Sequence, residues 1–216
     1  MGFAKSRNFI LMVFLSTLAS IGTAEPVAGN LQAQSAKFGM TQQSFIGLDN
    51  KSFAKGSPGY ALELSTNSGG AYFRYLIKAR FAYSEGKQNF SDTNNTIFNS
   101  TYKYMALSPE LGVTLYPVKR RDAGLNLYLW ATGIVSYNYL DLGVIPTGSN
   151  LKSRDQGYGL GYSGGVGFEL VVLPGRKAGG RYFIYGEAGF RDERIHVLSI
   201  DNFEVSGLTV CLGLGF

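Results

Sequence analysis

The chain has 216 residues, a formal net charge of +5 and only 16% charged residues, with 29 Gly, 14 Tyr and 15 Phe. Soluble domains average roughly a quarter charged residues. No Lys/Arg run interleaves with aromatics as a nucleic-acid groove requires, and one cysteine, Cys211, excludes an internal disulfide or a Cys-based zinc cluster.

Lys5 and Arg7 precede an apolar run from Phe9 to Leu15 that continues weakly to Ile21, and Gly22-Thr23-Ala24 supplies small residues at a cleavage position. The run is interrupted by Ser16, Thr17 and Ser20 and is shorter than the roughly 20 apolar residues of a spanning helix. Residues 1–24 therefore read as a cleaved secretory signal. Residues 25–37, rich in Ala, Gln, Ser and Gly without a period, read as a flexible periplasmic lead-in.

From there to Phe216 the period is two. Phe73, Tyr75, Ile77, Ala79, Phe81 and Tyr83 share one strand face, with Arg74, Leu76, Lys78, Arg80 and Ala82 on the other. The alternation returns in Met105–Leu115, Leu125–Tyr139, Leu160–Val172 and Tyr182–Phe190, and in Leu208, Val210, Leu212, Leu214 and Phe216. It predicts strands over about 59–66, 71–85, 101–117, 125–140, 158–173, 181–192 and 203–216, joined alternately by short turns and long polar connections. Two hairpins, LYPVKRRDAGLNLYLW and VVLPGRKAGGRYFIYG, share a Pro, a basic turn and Ala-Gly. Seven is an odd number, and an up-and-down barrel with its short turns on one side needs an even one. An eighth strand is placed at 38–48 on this topological ground, although Gln42 and Ser44 break its alternation.

Volume decides which face looks outward. The apolar faces carry Leu, Phe, Tyr and Ile, more than an eight-stranded interior can hold. The opposite faces are small, as in Gly159, Gly161, Ser163, Gly165 and Gly167, or charged. The bulky face therefore points toward lipid, with Phe73, Tyr75, Tyr182 and Phe216 as one aromatic girdle and Tyr83, Tyr137, Tyr139 and Tyr158 as the other. The fold class expected is all-β: an eight-stranded antiparallel up-and-down transmembrane β-barrel over residues 38–216.

On these residues the chain resembles the small bacterial outer-membrane barrels of the OmpA transmembrane-domain and opacity-protein type. The resemblance rests on the signal ending at Ala24, the hairpin pattern, and Leu208, Val210, Leu212, Leu214 and Phe216, which look like that family's C-terminal assembly signal. It implies a monomer in the bacterial outer membrane, with membrane lipid and the barrel-assembly machinery as partners, no cofactor, and a surface ligand that the sequence does not name. For function it is weak, because one fold hosts adhesins, enzymes and anchors. Pro109 departs from the pattern and suggests a bulge beside Ser108.

The lumen face collects Glu63, Arg74, Lys78, Arg80, Glu110, Glu169 and Glu187. Folding the 67–70 turn places Glu63 across from about Arg74, and Glu169 diagonal to Glu187, with Lys78 or Arg80 as counter-ion. The network reads as a salt-bridge plug, or alternatively as the electrostatic gate of a narrow channel. Trp130 is expected to fill space left by the glycines of the next strand. GLGYSG at 159–164 matches a dinucleotide fingerprint but lies inside one strand, where the following helix is missing. His196, the one histidine, has its nearest Ser at 199, three away and off its strand face, so a lipid-modifying enzyme is the least favoured alternative. Asn89, Asn94 and Asn99 begin N-x-S/T triplets in one connection and signify polar composition. The reading favoured is a non-catalytic surface barrel presenting residues 86–100 and 141–157.

Overall fold

The computed structural model describes residues 35–45, 58–91, 97–145, 147, 152–173, 181–197 and 203–216. The segment read as a signal and residues 25–34 lie outside them.

Nine strands form one antiparallel sheet: β1 (Ser35–Phe45), β2 (Pro58–Gly69), β3 (Phe73–Ser91), β4 (Ile97–Leu115), β5 (Gly124–Leu142), β6 (Arg154–Leu173), β7 (Tyr182–Val197), β8 (Phe203–Glu204) and β9 (Gly207–Gly215). Each consecutive pair from β1 to β7 is hydrogen-bonded, and β9 pairs with both β7 and β1, so the sheet closes on itself. Glu204 lies opposite Arg194 and Gly207 opposite Arg191, the same register on β7, and Val205 N donates to Glu193 O across the interval. β8 and β9 therefore act as one strand, and the architecture is an eight-stranded up-and-down barrel. Phe216 exchanges both backbone hydrogen bonds with Ala36, at 2.9 and 2.8 Å, which fastens the closing seam.

The first strand is present over Ser35–Phe45, beginning three residues before the expected 38; residues 46–48 of the expected strand lie outside the described residues. Three residues assigned to the lead-in, Ser35, Ala36 and Lys37, are paired with β2. Both faces of this strand carry polar residues, so alternation alone could not place its ends; its ladders with β2 and β9 do. The connection drawn at 86–100 is mostly strand, because β3 and β4 stay paired out to Ser91 opposite Ile97. The connection drawn at 141–157 begins and ends in strand, and β7 runs on past the expected 192 to Val197, for the same reason.

Pro109 makes no bulge. Leu107 lies opposite Tyr137 and Glu110 opposite Ile134, three residues on each strand, so the ladder to β5 is interrupted at Ser108 and Pro109 without a register shift. On the other side Pro109 remains opposite Ala79. The proline ring is exposed on the outer face, and the break is confined to one flank.

The orientation is inside-out relative to a soluble domain. Leu111, Leu127, Leu160, Val166, Leu212 and Leu214 are all more than half exposed on the outer wall, while Glu169, Glu110 and Arg80 are at most 3% exposed within. Glycine makes the tightest wall contact possible. A Cβ added at Gly165 would stand 2.2 Å from the Ala188 carbonyl oxygen and 2.5 Å from Gly189 Cα, so β6 and β7 could not keep their spacing around a larger residue there.

Candidate functional site

The strongest concentration of chemistry is the lumen. Among the described residues, the inward strand rows and, for Arg120, the β4–β5 turn bring twelve charged residues to 8% exposure or less: Lys37, Arg74, Lys78, Arg80, Arg120 and Arg191 against Glu63, Glu110, Asp155, Glu169, Glu187 and Glu193. Six cations meet six carboxylates, which is what a narrow interior with little room for water requires, because an unpaired buried charge is costly.

Seven of these form one chain of alternating sign. Arg80 Nε lies 3.4 Å from Glu63 Oε1, and Lys78 Nζ lies 3.2 Å from Glu63 Oε2 and 3.0 Å from Glu187 Oε2. Lys37 Nζ then bridges Glu187 at 3.8 Å and Glu169 at 3.1 Å, and Arg120 Nε ends the chain 2.7 Å from Glu169 Oε2. Hydroxyls complete it: Tyr128 OH donates to Glu187 at 2.8 Å and Tyr116 OH to Glu169 at 2.9 Å. Gln43 Oε1 accepts from Arg80 Nη2 at 2.7 Å. A second group lies toward the long-connection end. Arg191 bonds Glu110 at 2.5 Å, Glu193 through two nitrogens at 3.0 and 2.7 Å, and Ser108 at 3.0 Å. Thr132 donates to Glu110, Ser136 to Glu193, and Asn138 to Ser136.

Every residue assigned to the lumen network is buried inside the barrel: Glu63, Arg74, Lys78, Arg80, Glu110, Glu169 and Glu187. Two pairings differ from the expectation. Glu63 faces Arg80 and not Arg74, because β2 runs on to Gly69 opposite Arg74 and the turn lies at Gly70–Tyr72. Gly69 adopts φ +138°, a left-handed conformation that lets the turn begin so late. Glu169 takes Lys37 and Arg120 as partners, while Lys78 serves Glu187 and Glu63.

Five members were not legible. Lys37 belonged to the lead-in, Arg120 to a turn and Asp155 to the connection at 141–157. Arg191 stands where the strand expected at 181–192 gives way to a long connection and Glu193 within that connection, although both continue the period-two row of Glu187 and Gly189.

Trp130 lies on the inner wall opposite Gly165, and a Cβ at Gly189 would meet its Cζ2 at 2.8 Å, so the indole occupies space those glycines leave. Lys78 Nζ sits 4.4 Å over the same ring, which makes Trp130 a wall for the charge chain as well as filler. Apolar layers close the lumen around the charges. Tyr102, Tyr104, Ala106, Leu140, Leu142, Ile195 and Val205 pack together toward the long connections. Leu76, Tyr116, Tyr128 and Trp130 form a further cluster, and Val171, Phe183, Tyr185 and Cys211 another. Cys211 is a buried wall residue whose thiol donates to Tyr185 OH at 3.6 Å.

His196 is exposed on the outer face of β7 opposite Tyr158, and Ser199 lies outside the described residues. Ser206 donates to Asp192 at 2.6 Å on that face. Four residues of extended strand put His196 about 13 Å from Asp192, so the three do not assemble. Asn99 Nδ2 donates to Asn89 Oδ1 at 2.7 Å across the β3–β4 hairpin, and Asn94 lies outside the described residues. Leu208, Val210, Leu212, Leu214 and Phe216 are all exposed on the outer wall of the closing strand.

The chain matches no protein-family model and no curated protein. Among solved structures it is similar to Neisserial surface protein A, with 15% identity and a TM-score of 0.45 over 84% of this chain and 94% of that one. It is similar to Ail, the attachment invasion locus protein of Yersinia pestis, with 11% identity and a TM-score of 0.38 over 85% and 96%. A third is the transport unit of the autotransporter AIDA-I from Escherichia coli, with 11% identity and a TM-score of 0.32 over 92% and 94%. The fold, a closed eight-stranded antiparallel barrel, is the one implied by the sequence resemblance to small outer-membrane barrels.

Proposed function

We propose that the protein is an integral barrel of the bacterial outer membrane, exported through a cleaved signal. Its role is a structural or surface-interacting one, without catalysis. The observation that carries this reading is the outer wall. Exposed Leu, Val, Ile, Phe and Tyr side chains occur on every strand of the closed ladder, and soluble monomers rarely expose contiguous apolar patches larger than a few hundred Å². A closed ladder also answers the demand that hydrocarbon makes on every backbone polar group. In this reading the short turns and the Ala36–Phe216 seam face the periplasm. The paired extensions of β3 to β6 stand outside and present the exposed hairpins to a surface partner. Leu208, Val210, Leu212, Leu214 and Phe216 serve as the segment that the assembly machinery engages.

The alternating ion chain and the apolar layers support a plug over a channel, since the charges are engaged with one another and not with water. Outer-membrane fractionation together with heat-modifiable gel mobility tests the location and the fold. Planar-bilayer recording of the refolded barrel tests the plug. No steady conductance is expected, and a stable open level would replace the plug by the gated channel.

A further inference from the structure

We propose that the short-turn mouth of the barrel is a binding site for a small phosphate-class oxyanion. The lumen is neutral as a whole but not evenly. The alternating chain ends on a cation, Arg120, and two further guanidinium groups stand at the same end of the barrel: Arg74, bonded to Asn67 O, and Arg181, bonded to Asp122 of the turn that carries Arg120. Lys37 joins them on Glu169. Among the described residues this gives four cations, Lys37, Arg74, Arg120 and Arg181, against Glu169, Asp122 and the Glu187 that Lys37 shares with Lys78. Glu169 is committed, taking Lys37, Arg120 Nε and the Tyr116 hydroxyl. Asp122 is exposed and reaches only Arg181, at 2.9 Å.

The second observation is independent of charge. Several of the buried polar atoms without a hydrogen-bond partner among the described residues lie at this mouth: Arg120 Nη2, both amide atoms of Asn67, and the hydroxyls of Ser35 and Thr114; others, on Thr41, Gln43 and Trp130, lie deeper in the lumen. The register places them together. Ser35 faces Asn67 across β1–β2, and Thr114 faces Arg74 across β3–β4. Arg74 Nη2 donates to Asn67 O, and Arg120 N donates to Ala71 O in the β2–β3 turn. Asn67 is 0% exposed and the Arg120 side chain 4%, so bulk water does not satisfy them. The Arg120 guanidinium is braced between the Tyr116 and Phe183 rings, 5.8 and 5.7 Å away, which fixes the direction of its free nitrogen.

A group with several acceptor oxygens and negative charge answers both observations. It would accept from Arg120 Nη2, Asn67 Nδ2 and the two hydroxyls, and displace Asp122 from Arg181 on the way in. Free phosphate and the phosphate of a lipid headgroup share this chemistry.

The test uses the full-length mature barrel refolded in an uncharged detergent. Thermal unfolding is followed while inorganic phosphate is added at constant ionic strength against chloride, and in parallel while a short-chain phosphatidic acid is added. A saturable rise in melting temperature with phosphate, absent with chloride, supports the site as one for the free anion. A rise with the lipid alone supports a headgroup site. Arg120→Gln is expected to weaken either response about ten-fold or more, the loss of one charge-assisted contact. Arg154→Gln, at the opposite end, is expected to leave it unchanged. If Arg120→Gln does not refold, Arg181→Gln, which sits at the edge of the mouth, carries the comparison. A response no larger than that to chloride in both arms overturns the proposal, as does an unchanged response in the mouth variant.

Discussion

The outward orientation of Leu212 predicts a cost that depends on depth. Leu212 is the middle of five outward residues on β9, between Met40 of β1 and Gly186 of β7, and is 61% exposed. It lies four residues from Phe216, about 13 Å along a strand. A tilt of about 40° reduces this to roughly 10 Å of depth, close to the middle of an apolar band about 25 Å tall. Arginine at such a depth costs about 2–4 kcal/mol, and near an interface about 0–1 kcal/mol. Leu125→Arg, at the short-turn end of β5, is the matched rim control. On a water-exposed wall both changes would stay within about 0.5 kcal/mol of the parent. The assay is reversible urea unfolding from lipid vesicles, followed by the fluorescence of Trp130, the one tryptophan in the chain. Leu212→Arg is expected to lower stability by about 2–4 kcal/mol, several times the effect of Leu125→Arg. Equal effects, or a Leu212→Arg variant indistinguishable from the parent, would refute the orientation argument.

Removing a shared lumen cation should be severe. Lys78→Met leaves Glu63 and Glu187 facing each other and is expected to lower unfolding stability by about 3–5 kcal/mol, with partial recovery in the Lys78→Met/Glu187→Gln double variant, measured by the same urea titration. Gly165→Val places a Cβ against the Ala188 carbonyl and is expected to abolish the heat-modifiable gel form, since β6 and β7 can no longer close. Phe216→Asp leaves the two backbone bonds to Ala36 available, so refolding in detergent should be little changed, while the assembled fraction in cells should fall; equal assembly of both proteins removes the terminal residue from the recognition segment.

What the sequence could reveal follows from which faces differ. On β3 the contrast between Phe73-Tyr75-Ile77 and Arg74-Leu76-Lys78 is strong, and the strand and its orientation were both legible. β1 has Ser35, Lys37, Gly39, Thr41 and Gln43 inward and Gln42 and Ser44 outward, so its existence followed only from strand parity and its ends from pairing partners far along the chain. Register was lost where it depends on turn geometry. A three-residue difference in where the β2–β3 turn begins changes the partner of every residue in the hairpin and moves the partner of Glu63 from Arg74 to Arg80. Arg191 and Glu193 were hidden for a different reason. Their strand keeps its alternation but stops being apolar on the outside, where Asp192, Arg194 and His196 stand, and period two without hydrophobic contrast reads as a polar connection.

The same contrast explains why this barrel keeps charge inside at all. With an apolar outer wall, an apolar lumen would leave the two faces of each strand nearly equivalent, and a one-residue slip, which exchanges the faces, would cost little. The ion chain removes that equivalence. Slipping β3 by one residue would turn Lys78 and Arg80 outward, strand Glu63 inside without a cation and leave Glu187 only Lys37. The effect matters most for β1, whose own side chains specify a face so weakly. Lys37, joined to Glu169 and Glu187 from β6 and β7 and lying 4.3 Å over the Tyr128 ring, fixes which residues of β1 look inward. That in turn sets Phe38 and Met40 outward against Leu214 and Leu212, and aligns Ala36 with Phe216 at the seam. The closing register of the barrel thus rests on a lysine buried among charges from the far wall.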